Sequence, residues 1–297
     1  MTKNQQGHLL ALITILIWGT TFVTTKALLV DFSPLSIMLI RMIIATIAMF
    51  IIKPKFLKIK NIKHELIFAG AGLFGVTLYF LIENYALAYT FSGNVSIIVS
   101  TAPFFVALAL KYFGGGERLS RQFYYGFIIS MVGLVFICLN GRKLQLSLTG
   151  DILSLLAALA WAFYNVFVRR MEKYGYDTFL ATRKIILYGI IFSLPTLLFI
   201  PFKFSWSAIT SPLNICNLLF LGLLASALGF TMWNKAIYKI GAVKTSVYIY
   251  LQPVVTIIFA GIFLKEPFTV YILIGMVLTL FGLVISQRGT KVVEQGE

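Results

Sequence analysis

Long apolar runs follow one another along almost the whole chain, and polar residues are confined to short gaps between them. A spanning helix needs about 20 mostly apolar residues at a rise of about 1.5 Å each. By that measure the sequence predicts ten helices. Five are 8–29, 34–52, 65–85, 92–112 and 122–140; five more are 150–170, 177–201, 213–236, 242–264 and 268–287. Turn residues such as Ser33-Pro34, Gly114 to Gly116 and Pro201 punctuate the gaps, and no linker or low-complexity stretch leaves room for a soluble domain. The first run has no small-x-small cleavage site and continues through WGTTFVTTK, so it reads as a retained helix and not as a signal peptide.

The pattern is written twice. YALAYTFSGNVSIIVSTAPFFVALAL, beginning at Tyr85, returns as NKAIYKIGAVKTSVYIYLQPVVTIIF, in which Ala86 falls on Ala236, Ser96 on Ser246 and Pro103 on Pro253, an offset of 150. Beyond the loops that hold Glu117 and Glu266 the offset is 149, and Gly126 and Gly133 fall on Gly275 and Gly282. Near the start of each copy Gly7 matches Gly150, Trp18 matches Trp161 and Lys26 matches Arg169, at an offset of 143. The expected organisation is therefore two five-helix repeats, 1–145 and 146–297, in one compact transmembrane domain. An odd number of spans per repeat requires the second to enter from the opposite side. That makes an all-α membrane protein of ten transmembrane helices built as two inverted repeats, with a substrate site near the midplane where they meet.

Composition agrees with this class: of 297 residues, 59% are hydrophobic and 12% charged. A formal charge of +15 would suggest a nucleic-acid partner in a soluble protein. Here the basic residues sit in short loops, where they set orientation. With the N-terminus inside, Lys53, Lys55, Lys58, Lys60, Lys63, Arg118, Arg121, Lys173 and others fall on the inner side, against Arg142, Lys143, Lys203 and Lys265 outside. Both termini are expected in the cytoplasm of a cell whose inner or plasma membrane holds the chain, with no nucleic-acid partner. Cys138 and Cys216 lie in apolar stretches without metal or redox spacing, so they read as free thiols.

Polar side chains inside a bilayer need a partner or a wet cavity. Thr14, Trp18, Thr21 and Thr25 share one face of the first helix, and Ser154, Trp161 and Asn165 share one face of the sixth. Both tryptophans lie mid-helix, away from the interfacial belt, which points to a cavity lining; packing with hydroxyls bonded back to their own helix is the alternative. Ser92, Ser96 and Ser100 repeat at steps of four in the fourth helix, as Thr245, Tyr248, Gln252 and Thr256 do, nearly, in the ninth. Pro103 and Pro253 stand mid-span in those two helices, each freeing a carbonyl one turn back and allowing a hinge. Arg41 and Lys184 match at the offset of 143, and either could meet an anionic substrate group or snorkel to headgroups. Glu83, one turn from Tyr79, reads as an interfacial carboxylate, as a partner of Lys26, or as the carrier of a coupled proton. Catalysis has no visible constellation: His8 and His64 stand alone at helix entrances, HExxH and GxSxG are absent, and GGGE at Gly114 lacks the GK[ST] of a phosphate loop. No cofactor or metal is expected.

These segments resemble the ten-helix, EamA-type branch of the drug/metabolite transporter superfamily. The likeness rests on WGTTF at Trp18, the Pro34, Arg41, Ala45 spacing, ALAYTFSGNVSIIVSTAPFFVAL with Glu117-Arg118-Leu119 and Gly126…Gly133 after it, and LKEPF at Leu264 followed by Gly275 and Gly282. It covers nearly the whole chain. It implies export of small metabolites, often amino acids, across an inner membrane. Four-helix relatives exchange protons for cationic drugs through a carboxylate on their first helix; here that helix has no acid between His8 and Leu29. Trp233 and Asn234 stand where the first repeat has Glu83 and Asn84, so one repeat alone carries the acid.

The function expected is alternating-access transport of a small molecule, amino acids first, by a monomer or homodimer in contact with membrane lipid. A passive channel or lipid scramblase, or an exporter of another metabolite or drug, is the alternative. The expected substrate-binding residues are Trp18, Thr21, Arg41, Tyr79, Ser96, Ser100, Trp161, Asn165, Tyr248 and Gln252. Glu83 and Lys26 are expected to serve coupling, and Pro103 and Pro253 to serve as hinges.

Overall fold

A computed structural model describes residues 1–59, 61–114, 117–138, 147–200, 202, 206–264, 269–288 and 290–292. Lys60, Arg142, Lys143, Lys203, Lys265 and Glu266 lie outside the described residues. Among those described, eight helical stretches are long and apolar enough to cross a membrane: α1 (Lys3–Leu28), α2 (Pro34–Ile52), α3 (Ile62–Tyr89), α4 (Ser92–Phe113), α6 (Leu148–Glu172), α7 (Thr178–Leu198), α8 (Pro212–Ile240) and α9, which begins Ala242–Phe259. Two shorter apolar helices complete the set, α5 (Arg121–Cys138) and α10 (Val270–Arg288). The protein is an all-α membrane protein. One small exception is β1 (Glu117–Leu119), paired antiparallel with β2 (Thr290–Val292), which ties the approach to α5 to the tail after α10.

Helix starts follow local chemistry. Thr2 and Gln5 form a capping box on α1; Ser33, Asn61, Ser147 and Asp177 cap α2, α3, α6 and α7 through side-chain oxygens. Gly241, at φ 86°, makes the reversal between α8 and α9, a conformation that other residues rarely adopt.

The prolines do more than kink. Helix α4 is interrupted at Ser100 and Thr101, between Ser92–Val99 and Ala102–Ala109, and α9 narrows to a tighter turn over Tyr248–Leu251 before Gln252–Leu264. Each proline sits in the first turn of the restarted helix, where its missing N–H costs nothing. The carbonyl of Ile249, one turn before Pro253, accepts a 3.3 Å hydrogen bond from Ser100 Oγ of the other half. Helices α3 and α8 widen to π-helical turns over Leu73–Leu78 and Phe220–Leu228, which overlap at the repeat offset of 150. Such turns free carbonyls and are common at functional sites.

Packing pairs first-half helices with second-half helices. α1 lies on α8 and α9 as α6 lies on α3 and α4, α2 lies on α8 as α7 lies on α3, and α5 lies on α10. The last pair meets through glycines: a Cβ at Gly126 would lie 2.5 Å from Gly282 O, and one at Gly133 would lie 2.7 Å from Gly275 O. Lipid tails are as apolar as leucine, so helices associate here by close backbone contact. The helix ends give directions. Lys26 Nζ, at the end of α1, donates to Leu87 O and to Thr90 O (3.0 Å), just past α3. A Cβ at Gly150, at the start of α6, would lie 2.8 Å from Thr90 Cβ. At the other end Gln6 accepts from Lys239 Nζ at 2.8 Å, and Gly7 packs on Ile240. Thus α1 and α3 run one way, and α6 and α8 run the other.

Candidate functional site

The bundle holds a cavity lined by residues of both halves. Seven helices reach it: Trp18 and Thr21 from α1, Arg41 from α2, Tyr79, Phe80 and Glu83 from α3, Val99 from α4, Trp161 from α6, Phe230 from α8, and Ile249 and Gln252 from α9. The helix breaks explain part of this lining, because Val99 and Ile249 are matching residues one turn before the two prolines.

Aromatic rings form one wall. Trp18 and Trp161 meet edge to face at 5.3 Å, and Phe230 lies 5.6 and 5.9 Å from them. Trp233 closes the back at 5.1 Å from Trp18, and its Nε1 donates to Asn165 Oδ1 at 3.2 Å. Trp18 Nε1 donates to Ala225 O at 2.8 Å, within the widened turn of α8. Gly229 allows this approach, since a Cβ there would come within 2.7 Å of Trp18 Nε1. The repeat equivalents of Ala225 and Gly229 are Gly75 and Tyr79. Tyr79 lays its ring 4.9 Å from that of Trp161, and the buried Trp161 indole N–H has no acceptor among the described residues. An unsatisfied buried donor costs about 1–3 kcal/mol.

Charged groups line the same cavity. Arg41, 2% exposed, donates from Nε to Ser226 Oγ at 3.0 Å and lays its guanidinium 4.3 Å from the centre of the Phe80 ring. Ser226 donates in turn to Leu221 O in the same widened turn. Glu83 accepts from Tyr79 OH at 2.9 Å. Among the described residues the terminal guanidinium nitrogens of Arg41 and Oε2 of Glu83 have no hydrogen-bond partner, and the two side chains do not close a direct ion pair. A guanidinium and a carboxylate therefore face one cavity inside a low-dielectric bundle. At the repeat offsets their counterparts are Lys184 and Trp233, so the site breaks the symmetry of the scaffold. No cluster of three or more His, Cys, Asp or Glu that could hold a metal occurs among the described residues.

The model of the EamA-like transporter family matches this chain twice, at residues 5–139 and 148–287. The chain belongs to the EamA-like transporter family. It is similar to an uncharacterized transporter of Archaeoglobus fulgidus, 29% identical over 295 residues and covering 95% of this chain and 98% of the relative. The uncharacterized transporter YoaV of Bacillus subtilis is 27% identical over 287 residues, 91% of this chain and 93% of the relative. A solved crystal structure shares the fold with a TM-score of 0.73 at 18% identity, covering 97% of both chains. This EamA chain is thus a multi-pass membrane transporter.

Six of the ten expected binding residues, Trp18, Thr21, Arg41, Tyr79, Trp161 and Gln252, line the cavity of this EamA transporter, as does Glu83. The others lie elsewhere. Ser96 Oγ turns back to Gly93 O, and Ser100 donates to Ser96 O and Ile249 O, so both hydroxyls serve the helix break. Asn165 is fully buried behind the wall, bonded to Trp161 O and Trp233. Tyr248 points along α1 to His8, with its hydroxyl 2.9 Å from Nδ1. The tight turn at Tyr248–Leu251 shifts its direction away from that of Gln252. Lys26 does not pair with Glu83; it holds carbonyls at the end of α3. Lys184 pairs with Glu65 at 2.7 Å, and its neighbour Arg183 is the buried cation, capping α2 at Met49 O and Lys53 O. Sequence reasoning missed Phe80, Phe230, Val99, Ile249 and Ser226. The offset of 150 relates the first two to each other and the next two to each other, and was the available signal.

Proposed function

We propose that this EamA transporter moves small metabolites, amino acids first among them, outward across the inner or plasma membrane by alternating access, with both termini cytoplasmic. One observation carries the reading: a central cavity built by both halves holds one cation, one carboxylate and an aromatic wall. The two halves, 1–145 and 146–297, act as inverted repeats that rock about this site. Support comes from the opposed directions of α1 and α6, and from the contact of Gly7 with Ile240, which repeats as that of Gly150 with Thr90. Exchanging the halves then exchanges the open side. The breaks before Pro103 and Pro253 serve as the hinges. Glu83 would carry a coupled proton, so Glu83→Gln should remove the acceleration of efflux by a pH gradient.

The test is counterflow. Purified protein in liposomes, preloaded with unlabelled amino acids, should accumulate labelled amino acid transiently and saturably, faster with an imposed pH gradient. Flux that never saturates and shows no counterflow would make the chain a passive channel.

A further inference from the structure

We propose that the cavity selects zwitterions: Arg41 meets the carboxylate of the substrate, Glu83 meets its ammonium group, and the aromatic wall takes its side chain. This inference rests on the amino-acid reading of the preceding section. Inside a low-dielectric bundle a charge without a partner is costly, and breaking a compensated pair leaves the survivor exposed to that cost. Arg41 and Glu83 line one cavity as opposite charges without a direct ion pair. A ligand bearing only a carboxylate would neutralise Arg41 and strand Glu83; an amine would do the reverse. An α-amino acid satisfies both at once, since its two charged groups sit on one carbon and arrive together.

The scaffold favours this division. Arg41 is aimed by Ser226 through Nε and by the Phe80 ring, which leaves its paired terminal nitrogens for a carboxylate, the geometry that guanidinium recognises best. Glu83 has one oxygen engaged by Tyr79 and the other without a partner among the described residues. Both charges come from the first half. The matching place of Glu83 in the second half is Trp233, which adds to the aromatic wall. Duplicated packing has thus been replaced by distinct chemistry in the two halves, a carboxylate in the first and an aromatic ring in the second.

The experiment uses full-length protein in liposomes and counterflow of labelled L-phenylalanine and L-leucine. The competitors are 3-phenylpropanoate and 4-methylpentanoate, which lack the ammonium group, and phenethylamine and isopentylamine, which lack the carboxylate. Wild type should prefer each amino acid over both of its analogues by about tenfold or more. Glu83→Gln should lose the preference over the acids and keep that over the amines, and Arg41→Gln should do the opposite. A purely structural role would lower all three ligands together, so the crossed pattern is the decisive result. Where Arg41→Gln does not fold, Arg41→Lys and the wild-type ranking still decide. Equal competition by all three ligands in wild type, or the same ranking in both variants, overturns zwitterion selection while amino-acid transport stands. Absence of counterflow for both amino acids in wild type overturns the inference together with the amino-acid reading.

Discussion

Trp18 and Trp161 are the same residue of two repeats, yet their indoles meet different fates. Trp18 bonds to Ala225 O because Gly229 makes room. Trp161 faces Tyr79 instead and has no acceptor among the described residues. Replacing each by phenylalanine separates the consequences. Trp18→Phe removes a made hydrogen bond and leaves a buried carbonyl short of a donor, a loss of about 1–3 kcal/mol. Trp161→Phe removes a donor that was already unsatisfied, so its loss should be smaller by about that amount, the ring change being common to both. Melting temperatures in detergent read the difference. Equal losses would mean that the Trp161 N–H is satisfied in the folded protein.

At the scale of elements, contacts between helices test the architecture without touching the cavity. Gly133 lies against the backbone of α10, where a leucine has no space. Gly133→Leu should separate α5 from α10 and lower the melting temperature, whereas leucine at Gly93, which has open space around it, should not. The start of α7 offers a second test. Asp177 caps it through Leu180 N–H and pairs with Lys53 at 2.8 Å, both partners well exposed. Partial burial pushes the Asp177 carboxyl up, but the hydrogen bonds from Lys53 and Leu180, with the charge of Lys53, outweigh it and hold it below its ordinary range. Its folded value is lowered, so its contribution is fully present above the ordinary carboxylate range and is lost as pH falls from there through the lowered folded value. Asp177→Ala should cost about 1 kcal/mol at neutral pH, chiefly through the lost cap, and less in acid. A cost that does not change with pH would mean the carboxylate charge is irrelevant there.

For the whole molecule the decisive matter is which side each loop faces. Helix directions set α1 and α3 against α6 and α8, and the distribution of basic residues orients the set in the membrane. In a background with Cys138 and Cys216 replaced, Lys58→Cys should react with a membrane-impermeant reagent only in inverted vesicles. Arg142→Cys should react from outside on intact cells. The reverse pattern would overturn the orientation, and labelling of both positions from one side would overturn the opposed repeats.

Sequence by itself determined the class, the approximate helices, the duplication and the family. Each of these depends on patterns tens of residues long, which hydropathy and offset comparison read directly. It also located part of the site, because mid-span tryptophans, an arginine and an acid are costly in lipid and stand out along the chain. Tertiary structure decided which of these polar residues face one space. Ser96, Ser100 and Thr21 look alike in sequence, and each bonds back to a carbonyl of its own helix, yet Thr21 alone of the three reaches the cavity. Helical periodicity assigns a face, but breaks at Ser100 and Tyr248 and widened turns in α3 and α8 rotate that face by amounts that depend on neighbours. The same holds for charges: Lys26 and Glu83 fall near one end of adjacent helices, and only the packing of α1 on the end of α3 turned the lysine to backbone carbonyls and left the carboxylate facing Arg41.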